Sequence, residues 1–424
     1  MGLGNAQLII TKNGMKYKIS HPTKIVSGLV SLPASKSISN RVLIIKKLCK
    51  GVFKINNLSQ ARDTKILSDI LNSKSRNIDT KDAGTAMRFL TSFFALSEEN
   101  IRISGNRRMI ERPIKELVQA LNHLGADISF EKKEGFPPIN IKKKKMLGGV
   151  VEINAEVSSQ FISSLLLIGP SLKKGIVIKM SGSIVSKPYI LMTLKLMSHF
   201  GIVYTWKKNV IQIENQNYKA KDITIENDWS SACFWLEIAH LSKSADIDIY
   251  NLNKETIQGD GAAEKMFNSL KYNYNSTGLN VTKKLSYNKI KKYDLKDTPD
   301  VSLPLIVSKS LQKESTFFYG LNTLPIKECN RLESLSMEMT KYGVDVKIEK
   351  NSLKVFKKNI SNSQSCIFNT YDDHRMTMSL APLALVLDDV IINNIETVNK
   401  SYPQFWEELK KVGFKISLLT DLEK

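Results

Sequence analysis

The chain has 424 residues, 42% of them hydrophobic, with 62 Lys plus Arg against 41 Asp plus Glu and a formal net charge of +21. That length exceeds what one ordinary core organises, so two domains are expected, and no charge-free apolar run nears the ~18 residues of a membrane span. The charge favours anionic partners without choosing among nucleic acid, a membrane surface and acidic small molecules, while the four scattered cysteines argue against a disulfide framework or zinc site and suit a reducing compartment.

The chain opens MGLGNAQLIITKNG, with no basic segment leading a long apolar one, so no signal peptide is expected and a cytoplasmic location is the default. Residues 32–41, LPASKSISNR, place cations and hydroxyls before the apolar VLII. They suit either an anion held where a helix begins or a plain helix start capped by Ser35 or Ser37. From there a repeat unfolds. Six short β-like runs end in similar turns: FKINNL, IRISG, VIKMSG, IDIYNL, FFYGL and VIINNI. Taking Leu58, Gly105, Gly182, Leu252, Leu321 and Ile395 as markers, the gaps are 47, 77, 70, 69 and 74 residues.

Before each marker lies a strongly apolar segment, from VLIIKKL in the first unit to MTMSLAPLALVL in the last. These segments are apolar nearly all round, as buried helices are. Each is led by a polar motif: SKSISNR, DAGTAMR, SSQ, ENDWSS, DTPD and YDDHR. After the markers come polar loops and amphipathic helix patterns. Pro113, Pro188 and Pro403 open three of these, and Gly125, Gly201, Gly343 and Gly413 close four. Six units divide naturally as three and three, giving two similar α/β lobes with a ligand site in the cleft between them. If the buried helices run parallel, their N-termini converge there, and their dipoles and unpaired N–H groups attract anions.

The motifs PASKSISNR, AGTAMR, ERPI, SSQF, SKPYI, PD, IKECNRL, DHRM and NKSYP stand in the order found in 5-enolpyruvylshikimate-3-phosphate synthases, and the chain resembles that family from about Leu32 to Trp406. The resemblance implies an inverted α/β barrel of the enolpyruvyl transferase kind, with lobes at about 33–226 and at 1–32 together with 227–424. It also implies transfer of the enolpyruvyl group of phosphoenolpyruvate to the 5-hydroxyl of shikimate 3-phosphate, with release of phosphate. The partners are then these two small anionic substrates, with no nucleic acid, membrane, metal or organic cofactor, and the chain is expected to be a monomer.

By the same resemblance, Lys36 lies between the two substrates. Ser37 and Arg41 hold shikimate 3-phosphate, and Ser158, Ser159 and Ser186 give hydroxyls to its phosphate. Gln160 bridges the substrates, Tyr189 packs over the shikimate ring, and Asn322 and Lys327 take its hydroxyls. Asp300 removes the proton of the attacking hydroxyl, and Glu328 handles the proton at the methylene carbon. Gly84, Arg112, Arg331, His374, Arg375 and Lys400 complete the phosphoenolpyruvate site, for which glyphosate is expected to compete. Thr85 is placed as a helix cap, and Arg88 as a brace for its loop.

The sequence departs from the family pattern at Ala34, Asp82, Phe89, Asn330 and Asp372, and Thr323 stands where an asparagine is usual, which leaves Asn322 or Thr323 for that contact. Two other readings compete with this one. The sister enzyme acting on a UDP-sugar needs a lysine–asparagine opening motif and usually a cysteine loop, whereas the loop Arg107–Arg112 holds no cysteine. A nucleic-acid binder is suggested by the charge and by KKKK at 142–145, but no nucleic-acid motif accompanies it and the run reads as a charged turn. Finally, cations from both lobes face one cleft, with Asp300 and Glu328 offsetting only part of their repulsion, so closure is expected to need ligand.

Overall fold

The computed structural model describes residues 15–312, 314–357 and 365–419, so the opening stretch 1–14 lies outside the described residues. Each of the six apolar segments is a buried helix: Lys36–Leu48, Gly84–Phe94, Ser159–Ile168, Trp229–Leu241, Ser302–Ser310 and His374–Leu380. Each of the six marker runs is a strand: Ile55–Asn56, Ile101–Ser104, Ile176–Ser181, Ser244–Tyr250, Thr316–Tyr319 and Val390–Asn393.

Five of the sheets have four strands in one spatial order. In four of them a leading strand feeds the buried helix, which returns into the marker strand parallel to it, as Asn77–Asp79 and Ile101–Ser104 do around Gly84–Phe94. The amphipathic helix and an antiparallel hairpin then complete the sheet, here Asp127–Phe130 and Ile139–Lys142. The remaining sheet holds only Ile55–Asn56 beside Ile223–Thr224, which accounts for the short gap of 47: that unit has no hairpin of its own. In the sixth unit the strand Lys16–Ser20 takes the place of the last strand, paired to both Val390–Asn393 and Lys415–Leu419. Ile25–Ser31 takes the leading strand's place in the fourth unit's sheet, pairing in parallel with Ser244–Tyr250, while the chain runs on from it into the first buried helix.

The apolar residues bury as two separate clusters. One runs from Ala34 to Ile225, and the other joins Ile19–Leu32 to Trp229–Phe414. The chain passes between lobes along two adjacent segments, where Ser35 N donates to Glu226 O at 2.8 Å, Asp228 N donates to Pro33 O at 2.9 Å, and Ala34 bridges Asn227. The four helix-closing glycines have φ between 80° and 108°, as the turn out of a helix requires. The Lys142–Lys145 run is exposed, ending one strand and opening the connection to the next. Among the described residues, no helix is long and apolar enough to cross a membrane.

Candidate active site

The cleft between the lobes holds a cavity of about 1000 Å³, counting space open to solvent. The starts of five of the six buried helices line it: Lys36, Ser37 and Arg41; Gly84, Thr85 and Arg88; Ser158, Ser159 and Gln160; Pro299 and Asp300; His374 and Arg375. The remaining helix, Trp229–Leu241, acts one step back, since Ser230 accepts from Arg375 Nη2 at 3.0 Å. Ser35 stands before the first helix but makes no capping bond, whereas Ser158, Asp228 and Asp373 cap theirs. The opening motif therefore presents an uncapped helix end to the cavity, which favours the anion reading over the capped one.

The first lobe supplies a hydroxyl-rich wall. Arg41 is clamped from four sides, by Thr193 Oγ1 at 2.7 Å, Ser37 O at 2.8 Å, Ser163 Oγ at 3.2 Å and Tyr189 O at 3.3 Å, with the Phe89 ring 5.4 Å beneath it. Phe89, one of the departures, thus supports that guanidinium by a cation–π contact. Burial lowers Arg41 to about 10, so it stays charged near neutral pH. Ser186 lines the cavity from a left-handed backbone conformation at φ +53° and, with Ser159, is buried. Gln160 Nε2 donates to Thr85 Oγ1 at 3.2 Å. Thr85 is therefore not the cap expected of it, because it already lies inside the helix that Gly84 begins.

Gly84 is required for a different reason. A Cβ there would sit 2.5 Å from Arg112 Nη1, so the Arg112 guanidinium lies directly on the glycine. Arg88 braces this loop, donating to Gly84 O and Pro113 O at 3.1 Å each.

The second lobe supplies the charged wall. Arg331 is buried and holds Asp373 at 2.8 Å and Glu328 at 3.0 Å, with Asp300 3.7 Å away. Arg375 Nη2 lies 2.9 Å from Asp300 Oδ2. Burial pushes the Asp300 and Glu328 carboxyls up. Arg375, Lys327, Arg331 and Lys36 outweigh it at Asp300, and Arg331, Arg112 and Lys400 do so at Glu328, so both are held well below the usual carboxylate range and are ionised. Burial, then the Lys36 ammonium, drives His374 far below its usual value, leaving a neutral imidazole. Its Nδ1 is 3.6 Å from Asp373 Oδ1, and neither ring nitrogen has a hydrogen-bond partner among the described residues.

Two placements correct the sequence reading. Asn322 is exposed, and Thr323 lines the cavity instead, because the turn into Leu324–Ile326 points the earlier residue outward. Lys400 is not at the cavity wall. It is buried behind it, 3.2 Å from Asp63 Oδ1 and 2.9 Å from Asp82 Oδ2. Asp82, another departure, thus carries a charge that the lysine uses. Asp63, missed in the sequence, also takes Lys36 at 3.2 Å. Arg108, also missed, reaches across the cleft and donates to Lys327 O at 2.7 Å and Glu328 O at 2.8 Å.

The family model for EPSP synthase (3-phosphoshikimate 1-carboxyvinyltransferase) matches residues 20–75 and 70–409. The chain belongs to the EPSP synthase family. A 3-phosphoshikimate 1-carboxyvinyltransferase of Bacteroides fragilis is 40% identical over 408 residues, covering 95% of this chain and 99% of the relative. One from Buchnera aphidicola is 32% identical, covering 92% and 98%. The solved EPSP synthase of Acinetobacter baumannii has the same fold, with a TM-score of 0.77 at 18% identity over 96% of this chain and all of that one. EPSP synthase architecture accordingly accounts for the two lobes and their six units.

Proposed function

We infer that the protein is a 3-phosphoshikimate 1-carboxyvinyltransferase, moving the enolpyruvyl group of phosphoenolpyruvate to the 5-hydroxyl of shikimate 3-phosphate in aromatic (chorismate) biosynthesis. One observation carries the site assignment: Lys36, Arg41, Arg112, Arg331 and Arg375 meet Asp300 and Glu328 in a single interlobe cavity. Arginines match planar carboxylates and phosphates bidentately, and both substrates are multiply anionic. The relatives give no support to the UDP-sugar alternative.

We assign the lobe of about 33–226 the shikimate 3-phosphate phosphate site, built from Ser158, Ser159 and Ser186 with Lys36, Ser37 and Arg41. The lobe of 1–32 with 227–424 brings Asp300, Lys327, Glu328, Arg331, His374 and Arg375. The two apolar clusters support that division. In the reaction Asp300 accepts the proton of the 5-hydroxyl as its oxygen bonds to the enol carbon, while Glu328 gives a proton to the methylene carbon, making it a methyl group, and takes one back as phosphate leaves and the double bond re-forms. As described, both carboxylates are too well stabilised to hold a proton firmly. Substrate anions set against the same cations offset that stabilisation and raise both proton affinities, so in the loaded site Asp300 becomes a competent base and Glu328 can carry the proton it delivers. Lys400 acts from behind, through Asp63. We further propose a cytoplasmic monomer, since a single chain supplies both walls, with glyphosate competing for the phosphoenolpyruvate site.

The test is phosphate release from shikimate 3-phosphate and phosphoenolpyruvate by purified protein without added metal. Turnover with UDP-N-acetylglucosamine in place of shikimate 3-phosphate would overturn the assignment.

A further inference from the structure

Tyr189, on the first-lobe helix Lys187–His199, meets two carboxylates of the second lobe. Its hydroxyl lies 2.9 Å from Asp260 Oδ2 and 3.1 Å from Asp300 Oδ2. A phenol has one proton to donate, and an ionised carboxylate only accepts. With both aspartates ionised, one of these contacts would set lone pair against lone pair, so one carboxyl must carry a proton. Asp300 is the poorer candidate, because Arg375 at 2.9 Å and Arg331 at 3.7 Å stabilise its charge. Asp260 is 4% exposed and forms no salt bridge among the described residues, and its Oδ1 is buried without a hydrogen-bond partner there. A carboxylate so placed would leave a desolvated charge unpaired, whereas the carbonyl oxygen of a neutral acid tolerates it better. Burial, then the Asp300 charge, pushes Asp260 up to about 7.

We propose that Asp260 is a neutral acid that donates to Tyr189, which in turn donates to Asp300, and that this one-way chain positions the catalytic base. The proposal rests on the reading of Asp300 given above. With Oδ2 of Asp300 held by Tyr189 and Arg375, Oδ1 is the oxygen left for the substrate hydroxyl. Because Tyr189 belongs to the opposite lobe, the base is oriented only when the lobes meet. The titratable and charged groups facing Asp260 are Asp300, Arg375, Tyr189, Asp228 and the Cys233 thiol. Ionising Asp260 among them places a second negative charge beside Asp300 and breaks the chain, so turnover should fall on the alkaline side.

Two measurements test this. The infrared difference spectrum of wild type minus Asp260→Asn, taken without substrate at about pH 6, below the Asp260 value, should show a protonated carboxylic acid lost in the variant. Carboxylate bands in its place would overturn the proposal. In turnover, Asp260→Ala and Tyr189→Phe should each lower kcat about 10-fold with KM little changed, a modest misplacement of the base. Asp260→Asn supplies an N–H donor and should recover most of the loss while removing the alkaline fall. An Asn variant as slow as the Ala variant counts against the chain. Wild-type turnover in Asp300→Asn would overturn the base assignment and with it the positioning role, while the infrared band still reports the Asp260 proton, so the two failures are distinguishable.

Discussion

Single side chains decide how this site is charged. Asp300 is ionised because four cations surround it, so Asp300→Asn removes the base while keeping its shape. The variant should fold, bind shikimate 3-phosphate within a few-fold of wild type, and lose ~10²–10⁴ in kcat. Isothermal titration beside steady-state rates checks this, and near wild-type turnover removes Asp300 from the mechanism. At Gly84 the prediction is steric. A methyl group 2.5 Å from Arg112 Nη1 forces the guanidinium off the glycine, and Arg112 is buried with little room to move. Gly84→Ala should raise KM for phosphoenolpyruvate about 10-fold, roughly the loss of one hydrogen bond to a charged group. Shikimate 3-phosphate binding should hold steady. Unchanged phosphoenolpyruvate kinetics would make Gly84 a turn residue only.

At the scale of elements, the repeat places chemistry just past the end of each marker strand. Asp63, Arg112, Ser186, Asp260, Glu328 and Lys400 lie 5, 7, 4, 8, 7 and 5 residues after their markers. Four of these stand in family motifs. Asp63 and Asp260 have no motif to mark them, yet the repeat itself holds the signal. The buried helices carry a cost of their own. Glu237 lies on Trp229–Leu241 with no exposed surface and no hydrogen-bond partner for either oxygen among the described residues. Burial drives its carboxyl well above the usual range, so it is protonated in the fold. A raised folded-state value favours the fold below the unfolded value, near 4.3, and that contribution is lost as pH rises toward the folded value. Glu237→Met should therefore stabilise the protein at neutral pH, by an advantage growing about 1.4 kcal/mol per pH unit above the unfolded value. Thermal melts of both proteins from acid to neutral pH would show it. A gap that does not widen with pH would mean Glu237 is paired.

Across the whole molecule, the cleft is better compensated than its sequence implied. Asp63 serves Lys36 and Lys400, Asp82 serves Lys400, and Asp373 serves Arg331, beyond the Asp300 and Glu328 that the sequence reading counted. Interlobe bonds add to this: Arg108 to the Lys327 and Glu328 carbonyls, and Ser186 N to Lys296 O at 3.0 Å. Arg41, Arg88 and Arg112 still form no salt bridge among the described residues, so an excess of positive charge persists for anionic substrates to neutralise. Closure is then biased by ligand rather than forbidden without it. Small-angle scattering should show a smaller radius of gyration on adding shikimate 3-phosphate, which contacts both lobes, and little change with phosphoenolpyruvate alone. Asp63→Asn should blunt that contraction, because it leaves two lysines short of a counter-charge. An identical contraction would assign Asp63 no part in closure.

The sequence by itself determined the six-unit repeat, the buried helices and the polar helix starts, because burial periodicity, helix-closing glycines and opening prolines are local signals. It also marked most residues of the cavity, since the motifs sit at helix starts whose dipoles and N–H groups act wherever the helix goes. What only the tertiary structure decided is which charges meet. Lys400 lies 337 positions from Asp63 along the chain and touches it because the lobes close; Tyr189 links Asp260 to Asp300 across the same cleft. Likewise the strand Lys16–Ser20 belongs to the last sheet only because it pairs there with Val390–Asn393 and Lys415–Leu419, far along the chain. Such pairings depend on through-space distance and local desolvation, neither of which is written in the spacing of residues along the chain.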